Sequence, residues 1–242
     1  MVWGTFGIVH IGSLLFGAAM VVALYFLLKN KSRRTQTAVL GVLSFSGIAA
    51  ILYNLLMWGA PLTYLPLHLC SINALLLPIA VFTRSKTVGN LLLVWSLGAL
   101  AALVVNNSVA DAELGSWVFF FYYFPHVMEF GIPILLFRLG LIEKDPKCIG
   151  STLGLTMGIY TVVHFINKGV NAWCAAAGIL MDGELLQVNY MYSITPEFPL
   201  LAIFYQVIPC EYWYMYMVVP IVAVYLLIVY APQLLRRRKA TA

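Results

Sequence analysis

The segment PLHLCSIN, residues 66–73, places a histidine and a cysteine two residues apart at the start of an apolar run. A cysteine thiol acts as a nucleophile when a base takes its proton and a pocket admits the substrate. On a helix, His68 and Cys70 would point about 200° apart, because each residue turns roughly 100°. The base would therefore come from another segment, and His126 is the candidate. The alternative is that Cys70 is a small core residue, the commoner role of a cysteine in an apolar segment.

Two further polar side chains stand one helical turn from this candidate pair. Cys70 and Asn73 share a helix face at i, i+3, and so do His126 and Glu129. Glu129 could orient His126, as the acidic member of a catalytic triad orients its base. Alternatively, it is a structural acid that is either neutral or paired with His126 or Lys168, because an unpaired charge in lipid is costly.

The composition places these residues inside a membrane. The chain of 242 residues is 62% hydrophobic and 10% charged, whereas a soluble domain has about 45–50% apolar and about 25% charged residues. The formal net charge of +5 comes mainly from short basic clusters between apolar runs. That pattern is typical of anionic-lipid contact and membrane topology, and we expect no binding to nucleic acid.

Seven apolar runs predict the architecture. A spanning helix needs about 20 mainly apolar residues, and the third run is the shortest. It also contains Pro78, which would kink a helix or end it early. The expected fold is all-α: one polytopic membrane helical bundle over residues 1–242, with about seven transmembrane helices. The runs are residues 5–28, 37–59, 66–82, 88–105, 117–140, 151–172 and 213–232.

The basic residues predict the orientation of this bundle. Every lysine and arginine except Lys168 follows an odd-numbered run, so alternating helices place all the other basic residues on one side. Basic loops face the cytoplasm. The N-terminus is therefore expected outside and the C-terminus in the cytoplasm.

With this orientation, the four histidines fall in the outer half of the membrane. Polar side chains in lipid normally point into the bundle or into a wet cavity, which predicts one cavity open to the outer face. Amide side chains at that depth could donate hydrogen bonds to a developing oxyanion. The histidines are His10, His68, His126 and His164, and the candidate amides are Asn73, Asn106 and Asn167.

Sequence motifs for metals and nucleotides are absent. The chain has no CxxC, no HExxH, no zinc-finger spacing, no Walker loop and no GxGxxG loop. No two histidines stand at i, i+3 or i, i+4, so a metal site is a minor alternative, and we expect neither a metal nor a cofactor. Cys174 and Cys210 fall in the long outer segment 173–212, where they either form a disulfide or remain thiols. Its stretch PEFPLLAIFYQVIP is either re-entrant or interfacial.

Four stretches resemble a known family of membrane proteins. LPLHLCSINALLLPIA (65–80) resembles the signature segment of the YwaF-type bacterial integral membrane proteins, which are related to animal transmembrane protein 164. FFFYYFPHVMEF (119–130) resembles the family's aromatic helix with a histidine, here His126. VNYMYSITP (188–196) is similar to its Asn-Tyr-Met block, which follows a helix asparagine matched by Asn167. FGIVHIGSLL (6–15) is similar to its opening helix, with His10 as the histidine.

The resemblance implies a reaction and a location. The animal relative is regarded as an acyltransferase that moves a fatty acyl group onto ether lysophospholipids, with a nucleophile that matches Cys70 and a base that matches His126. It implies a multi-pass protein of the bacterial cell membrane whose partners are phospholipids and lysophospholipids. The sequence departs from the family pattern at Glu129 and in the length of the segment between residues 171 and 189. The residues expected to bind or orient the substrate are His10, His68, Asn73, Asn106, Glu129, Asn167 and Asn189.

The leading hypothesis is therefore a membrane-embedded acyltransferase that acts through a Cys-His pair and a thioester in an exofacial cavity. A lipid hydrolase would use the same pair with water as the acceptor. A non-enzymatic transporter or sensor of small molecules would use the cavity as a binding site, with His126, Glu129 and Lys168 carrying protons or charge. The substitution Cys70→Ser separates these classes, because it abolishes acyl transfer and only modestly affects transport or sensing. The oligomeric state is left open.

Overall fold

In a computed structural model, the chain forms two compact helical units, residues 1–145 and residues 146–242. The structure describes residues 1–105 and 107–241, with the backbone alone at Asn107 and at residues 235–241. Asn106, one of the predicted site residues, lies outside the described residues. A single domain over the whole chain stays a prediction.

The predicted fold class, an all-α polytopic membrane helical bundle, is confirmed. The regular structure of the described chain is α-helical apart from short 3₁₀ turns and one small hairpin of two-residue strands. The helices are α1 (Ile8–Leu28), α2 (Arg33–Ser44), α3 (Ser46–Met57), α4 (Leu69–Thr83), α5 (Lys86–Val104), α6 (Trp117–Arg138), α7 (Cys148–Ala177), α8 (Pro199–Val207) and α9 (Val218–Thr241).

Six helical segments of the described chain are long and apolar enough to cross a membrane. The third predicted run forms α4, whose 15 residues fall short of the roughly 20 that a perpendicular crossing needs. α4 begins at Leu69 rather than at Pro66, and it continues past Pro78, so the early end expected at that proline does not occur. The six segments are Ile8–Leu28, Arg33–Met57, Lys86–Val104, Trp117–Arg138, Cys148–Ala177 and Trp213–Leu234.

The second predicted run is one span built from two helices that meet at Phe45. The Phe45 N–H bonds to the carbonyl oxygens of Leu43 and Val42, although a regular α-helix would pair it with Gly41. The Ser44 hydroxyl donates a 2.6 Å hydrogen bond to the Gly41 carbonyl oxygen. A side chain that takes a backbone carbonyl in this way is a known cause of a helix break.

In the first unit, α6 is the central helix, because it packs against each of α1 to α5. Its contact with α1 depends on glycines. A Cβ added at Gly131 would lie 2.5 Å from the side chain of Val21, and one at Gly17 would lie 2.9 Å from the hydroxyl of Tyr123. Small residues let helices in a membrane approach closely, so these glycines hold α1 directly against α6.

The two ends of the first unit differ in charge. At one end, Arg33 donates to the Gly140 carbonyl oxygen at 3.3 Å, and Lys86 forms a 3.0 Å ion pair with Glu143. The basic loops before α2, between α4 and α5, and after α6 therefore gather at this basic end. At the other end, the N-terminal segment pairs with the loop before α6 through a β-bridge between Val2 and Glu113.

The second unit holds the long segment that the sequence places outside. Here α7 has 30 residues and extends beyond the predicted run 151–172 at both ends. The hairpin strands Leu180–Met181 and Glu184–Leu185 follow it. The stretch predicted to be re-entrant or interfacial contains the short helix α8, with 9 residues.

Candidate active site

Cys70 lies at the N-terminus of α4, as the second residue of the helix. The first backbone N–H groups of a helix have no acceptor within the helix and carry partial positive charge. The sulfur is in hydrogen-bond contact with its own N–H and with the N–H and hydroxyl of Ser71. These donors stabilise the thiolate, which is the nucleophilic form. The side chain is partly buried, which opposes ionisation, so the thiol still needs a base.

His126 is held in one tautomer by its own helix. Its Nδ1 lies 2.6 Å from the carbonyl oxygen of Tyr122, one turn earlier on α6. A carbonyl oxygen can only accept, so Nδ1 carries the hydrogen, and in the neutral ring Nε2 has the lone pair. The side chain is 8% exposed. His126 is therefore oriented to act as a base through Nε2.

Cys70 faces α6 at the level of His126. Tyr122, His126 and Glu129 stand at i, i+4 and i+7, within about 60° of one another around the helix. The thiol of Cys70 is near enough to Tyr122 and Glu129 for their charges to interact. Ala74, one turn after Cys70, lies against the same point on α3 as the Glu129 carboxyl. Cys70 and His126 each precede that contact by about one turn on helices that run in the same direction, so they lie at about the same height. The structure thus brings Cys70 and His126 to the same height in one unit.

One turn below this level, α3, α4 and α6 meet at Gly47. A Cβ added at Gly47 would lie 2.5 Å from Cβ of Ala74 and 3.1 Å from Oε1 of Glu129. The Glu129 carboxyl therefore lies against α3 at the height of Ala74. Asn73 is the residue before Ala74 in the chain. Asn73 and Glu129 form a second level of polar groups beneath Cys70 and His126.

The polar groups of this second level are buried and unsatisfied. Asn73 is 1% exposed and Glu129 is 3% exposed. Among the residues that the structure describes, neither polar atom of the Asn73 side chain has a hydrogen-bond partner, and neither has Oε2 of Glu129. Buried polar groups are normally hydrogen-bonded, because leaving one without a partner costs about 1–3 kcal/mol. These atoms are available to bind a polar ligand or ordered water.

The structure changes the interpretation of Glu129. The group that orients His126 through Nδ1 is the carbonyl of Tyr122, not this carboxyl. Lys168, the other partner considered from the sequence, instead forms a 2.8 Å ion pair with Glu211. Glu129 stays a candidate for substrate binding, with a role other than that of a triad acid.

His10, also expected near the substrate, is a fully buried link between α1 and α5. Its Nδ1 accepts from the Phe6 N–H at 2.8 Å, and its Nε2 lies 2.8 Å from the carbonyl oxygen of Leu103. Both ring nitrogens are thus engaged by the backbone. His68 is the N-cap residue of α4, directly beside Leu69 and Cys70.

The predicted asparagines of the second unit fix the segment after the hairpin onto α7. Asn167 donates to the Tyr190 carbonyl oxygen at 2.8 Å and to the Ser193 hydroxyl at 2.9 Å, and it accepts from the Tyr190 N–H at 3.0 Å. Asn189 donates to Glu197 at 2.7 Å and accepts from the N–H of Ile194 at 3.0 Å. Both side chains organise the backbone of the Asn-Tyr-Met block.

The four cysteines, all within the described residues, carry thiols rather than disulfides. Cys174 is buried and Cys210 is exposed. Of the two alternatives for this pair, a disulfide or two thiols, the structure has the two thiols. Within the described part of the chain, no three His, Cys, Asp or Glu side chains are grouped as metal ligands.

Three residues of the site were missed in the sequence. Tyr122 could have been found, because it precedes His126 by one turn and its carbonyl is within reach of that imidazole. Ser71 could also have been found, as the neighbour of Cys70 in the first helical turn. Gly47 carries no local signal, since its role depends on the packing of α3 against α4 and α6.

Similarity to known proteins is found at the level of a family. The profile of the TMEM164 family matches residues 5–230, which is nearly the whole chain. No curated protein and no solved structure is significantly similar to it. The matched range contains the positions of Cys70, His126, Asn167 and Asn189, while the bacterial YwaF-type branch of the resemblance stays a prediction. The chain belongs to the TMEM164 family of multi-pass membrane proteins.

Proposed function

We propose that the protein is a membrane-embedded acyltransferase that moves a fatty acyl group between membrane lipids through a thioester on Cys70. The observation that carries the proposal is the height of Cys70 on α4. Ala74, one turn after Cys70, and the carboxyl of Glu129, one turn after His126, lie against the same point on α3. Its supporting observation is the His126 tautomer, with Nδ1 bound to the Tyr122 carbonyl oxygen at 2.6 Å.

In the first half-reaction, Nε2 of His126 takes the proton of the Cys70 thiol. The sulfur attacks the carbonyl carbon of a phospholipid ester, and a carbon–sulfur bond forms as the ester carbon–oxygen bond breaks. The protonated imidazole gives its proton to the departing glycerol oxygen. The products are a lysophospholipid and an acyl thioester on Cys70.

In the second half-reaction, the imidazole takes the proton of a hydroxyl on an acceptor lysophospholipid. That oxygen attacks the thioester carbonyl carbon, and the carbon–sulfur bond breaks. The proton returns from His126 to the sulfur, so the enzyme is regenerated. If water replaces the lysophospholipid, the same steps release a free fatty acid.

The proposed substrates are phospholipid and lysophospholipid of the bacterial cell membrane, approached from the outer leaflet. Two features support this location. Cys70 lies at the start of α4, whose other end leads to Arg84 and Lys86 in the basic end of the first unit. Basic loops are cytoplasmic by the positive-inside rule. Ester groups of lipids lie near the membrane interface, and the thiol lies in the first turn of α4, at the end of that helix away from the basic loops.

The test is the intact mass of the purified protein after exposure to phospholipid vesicles. We expect an added acyl mass that hydroxylamine removes and that Cys70→Ser prevents. Cys148→Ser is the matched control, because Cys148 also begins a helix, α7, and its loss should leave the adduct in place. An adduct that persists in Cys70→Ser, or none in the wild-type protein, would overturn the proposal.

Adding lysophospholipid to the acylated protein separates transfer from hydrolysis. A transferase returns the acyl group to the acceptor, and the product is a diacyl phospholipid. A hydrolase releases free fatty acid at the same rate with and without the acceptor.

A further inference from the structure

The upper level of the site, Cys70 and His126, and the lower level, Asn73 and Glu129, are separated by the same number of residues on α4 and on α6. The two helices run in the same direction. Cys70 and Asn73 are three residues apart on α4, and His126 and Glu129 are three residues apart on α6. Both helices run toward the basic end of the unit, where Arg33 binds Gly140 after α6. Since Cys70 is level with His126, Asn73 is level with Glu129, each about 4.5 Å deeper.

The contact at Gly47 sets this register. Ala74 and the Glu129 carboxyl both lie against the same point on α3, at 2.5 Å and 3.1 Å from an added Cβ. Asn73 precedes Ala74 and shares a helix face with Cys70 at i, i+3, so its amide lies at about the same depth as the Glu129 carboxyl. The two groups do not bond to each other, because both polar atoms of Asn73 are without a hydrogen-bond partner among the described residues.

We propose that Asn73 and an uncharged Glu129 together bind the carbonyl oxygen of the acyl group on Cys70 and stabilise the oxyanion that forms there. This inference rests on the proposed acyltransferase function and names the two hydrogen-bond donors that would stabilise its oxyanion. The amide of Asn73 supplies one N–H and the carboxylic acid supplies one O–H. A carbonyl oxygen has two lone pairs and can accept both.

The uncharged form of Glu129 follows from its surroundings. The carboxyl is 3% exposed in a membrane-spanning helix, and the ion pairs of the described residues, Lys86–Glu143 and Lys168–Glu211, do not include it. An isolated carboxylate in such a place is strongly disfavoured relative to the neutral acid. A neutral acid can donate a hydrogen bond, whereas a carboxylate can only accept one.

The two donors are placed to bind the acyl oxygen after the acyl group has joined the sulfur, rather than the ester oxygen of a lipid that has not yet reacted. They lie about one helical turn, ~5 Å, below the level of the sulfur, where the oxygen of an acyl group joined to that sulfur can be directed. Donors preset for the developing charge lower the barrier, and each is typically worth about 10²–10³ in rate. No proton is transferred at this oxygen, so Glu129 retains its hydrogen through both half-reactions.

The test compares two reactions of the Cys70 thiol in the purified full-length protein. Acylation by a p-nitrophenyl ester passes through an oxyanion, whereas alkylation by iodoacetamide does not. We expect Asn73→Ala and Glu129→Met to slow acylation about 10²–10³-fold each and to change the alkylation rate less than about threefold. Glu129→Gln keeps a donor, and its acylation rate should stay within about tenfold of wild type.

The matched control is Asn90→Ala, which removes another fully buried asparagine, on α5. Its acylation rate should equal that of the wild type. If Glu129→Met does not fold, the comparison of Asn73→Ala with Glu129→Gln still decides the outcome.

Three results would overturn the inference. Equal losses of acylation and alkylation would mean that the pair is structural. A Glu129→Gln variant as slow as Glu129→Met would mean that a carboxylate is required. Unchanged acylation in Asn73→Ala would mean that the Asn73 amide takes no part in binding the oxyanion. A wild-type protein whose Cys70 is alkylated but never acylated would instead reject the acyltransferase function itself.

Discussion

The imidazole of His126 is bound to the carbonyl oxygen of Tyr122, with 2.6 Å between Nδ1 and that oxygen. This bond replaces the carboxylate that orients the base in a Ser-His-Asp triad. It also depends on the backbone, so it survives changes to the Tyr122 side chain. A helix can therefore fix the tautomer of a histidine without an acidic residue, provided that the ring can reach back by one turn.

The first prediction separates the two roles of this ring. In His126→Asn, the side-chain amide can still donate to the Tyr122 carbonyl, but no group replaces Nε2. We expect thioester formation at Cys70 to fall about 10²–10⁴-fold, the range that a general base contributes, with little change in melting temperature. The measurement is the rate of acyl adduct formation by mass, beside a thermal denaturation curve.

Tyr122→Phe is the control for that experiment. It removes the phenol bond to the Ala102 carbonyl oxygen, 2.9 Å long, and leaves the backbone bond to His126. A loss of about 1–2 kcal/mol in unfolding free energy is expected, with acylation close to wild type. Acylation abolished in Tyr122→Phe but retained in His126→Asn would contradict both assignments.

Gly47 is predicted to be intolerant of a methyl group. In Gly47→Ala, the new Cβ would lie 2.5 Å from Cβ of Ala74, so α3 and α4 must separate, at about 1–3 kcal/mol of stability. Displacement of the Glu129 carboxyl should also slow acylation. The measurements are the melting temperature and the acylation rate.

The double variant Gly47→Ala/Ala74→Gly moves the methyl group from one helix to the other and should recover part of the stability. Gly12→Ala is the control, because a Cβ there meets nothing within 4 Å and alanine is favoured over glycine inside a helix by about 0.5–1 kcal/mol. Equal melting temperatures for Gly47→Ala and Gly12→Ala would show that the three helices are not in close contact.

His10 is predicted to be a stability residue. His10→Ala leaves the Leu103 carbonyl and the Phe6 N–H without their partners, which lie at 2.8 Å. We expect about 2–4 kcal/mol of destabilisation, since each unsatisfied buried group costs about 1–3 kcal/mol. Alkylation of Cys70 at low temperature should be unchanged. A stable His10→Ala protein that has lost acylation would instead place the ring in the substrate site.

Asn167 is predicted to hold the Asn-Tyr-Met block. Asn167→Asp keeps an acceptor for the Tyr190 N–H and loses both donated bonds, whereas Asn167→Ala loses all of them. Proteolysis between residues 186 and 198 should therefore be fastest in Asn167→Ala and intermediate in Asn167→Asp. The fragments are identified by mass, and identical cleavage of the two variants and the wild type would count against this role.

The orientation in the membrane has its own test. With the N-terminus outside, a membrane-impermeant maleimide added to intact cells should label the exposed Cys210. It should label Cys148 only after permeabilisation, because that residue follows Lys144 and Lys147 in a basic loop on the cytoplasmic side. The two single-cysteine variants provide controls for each other, and the reverse labelling pattern would invert the topology.

The sequence alone determined that this protein folds in a membrane, and it supplied the candidate reactive side chains. A chain that is 62% hydrophobic and 10% charged has to fold in lipid, and the positions of the helices follow from the lengths of its apolar runs. The pairing of Cys70 with Asn73, and of His126 with Glu129, follows from the pitch of a single helix. These properties are local, so neighbouring residues are sufficient to predict them.

Only the tertiary structure decided which helix faces meet. The break at Phe45 depends on the rotamer of Ser44, and the place of the Glu129 carboxyl depends on the absence of a side chain at Gly47, far away in the chain. Packing joins residues that are distant in sequence through contacts of a few ångströms, and no periodicity within one segment specifies such contacts.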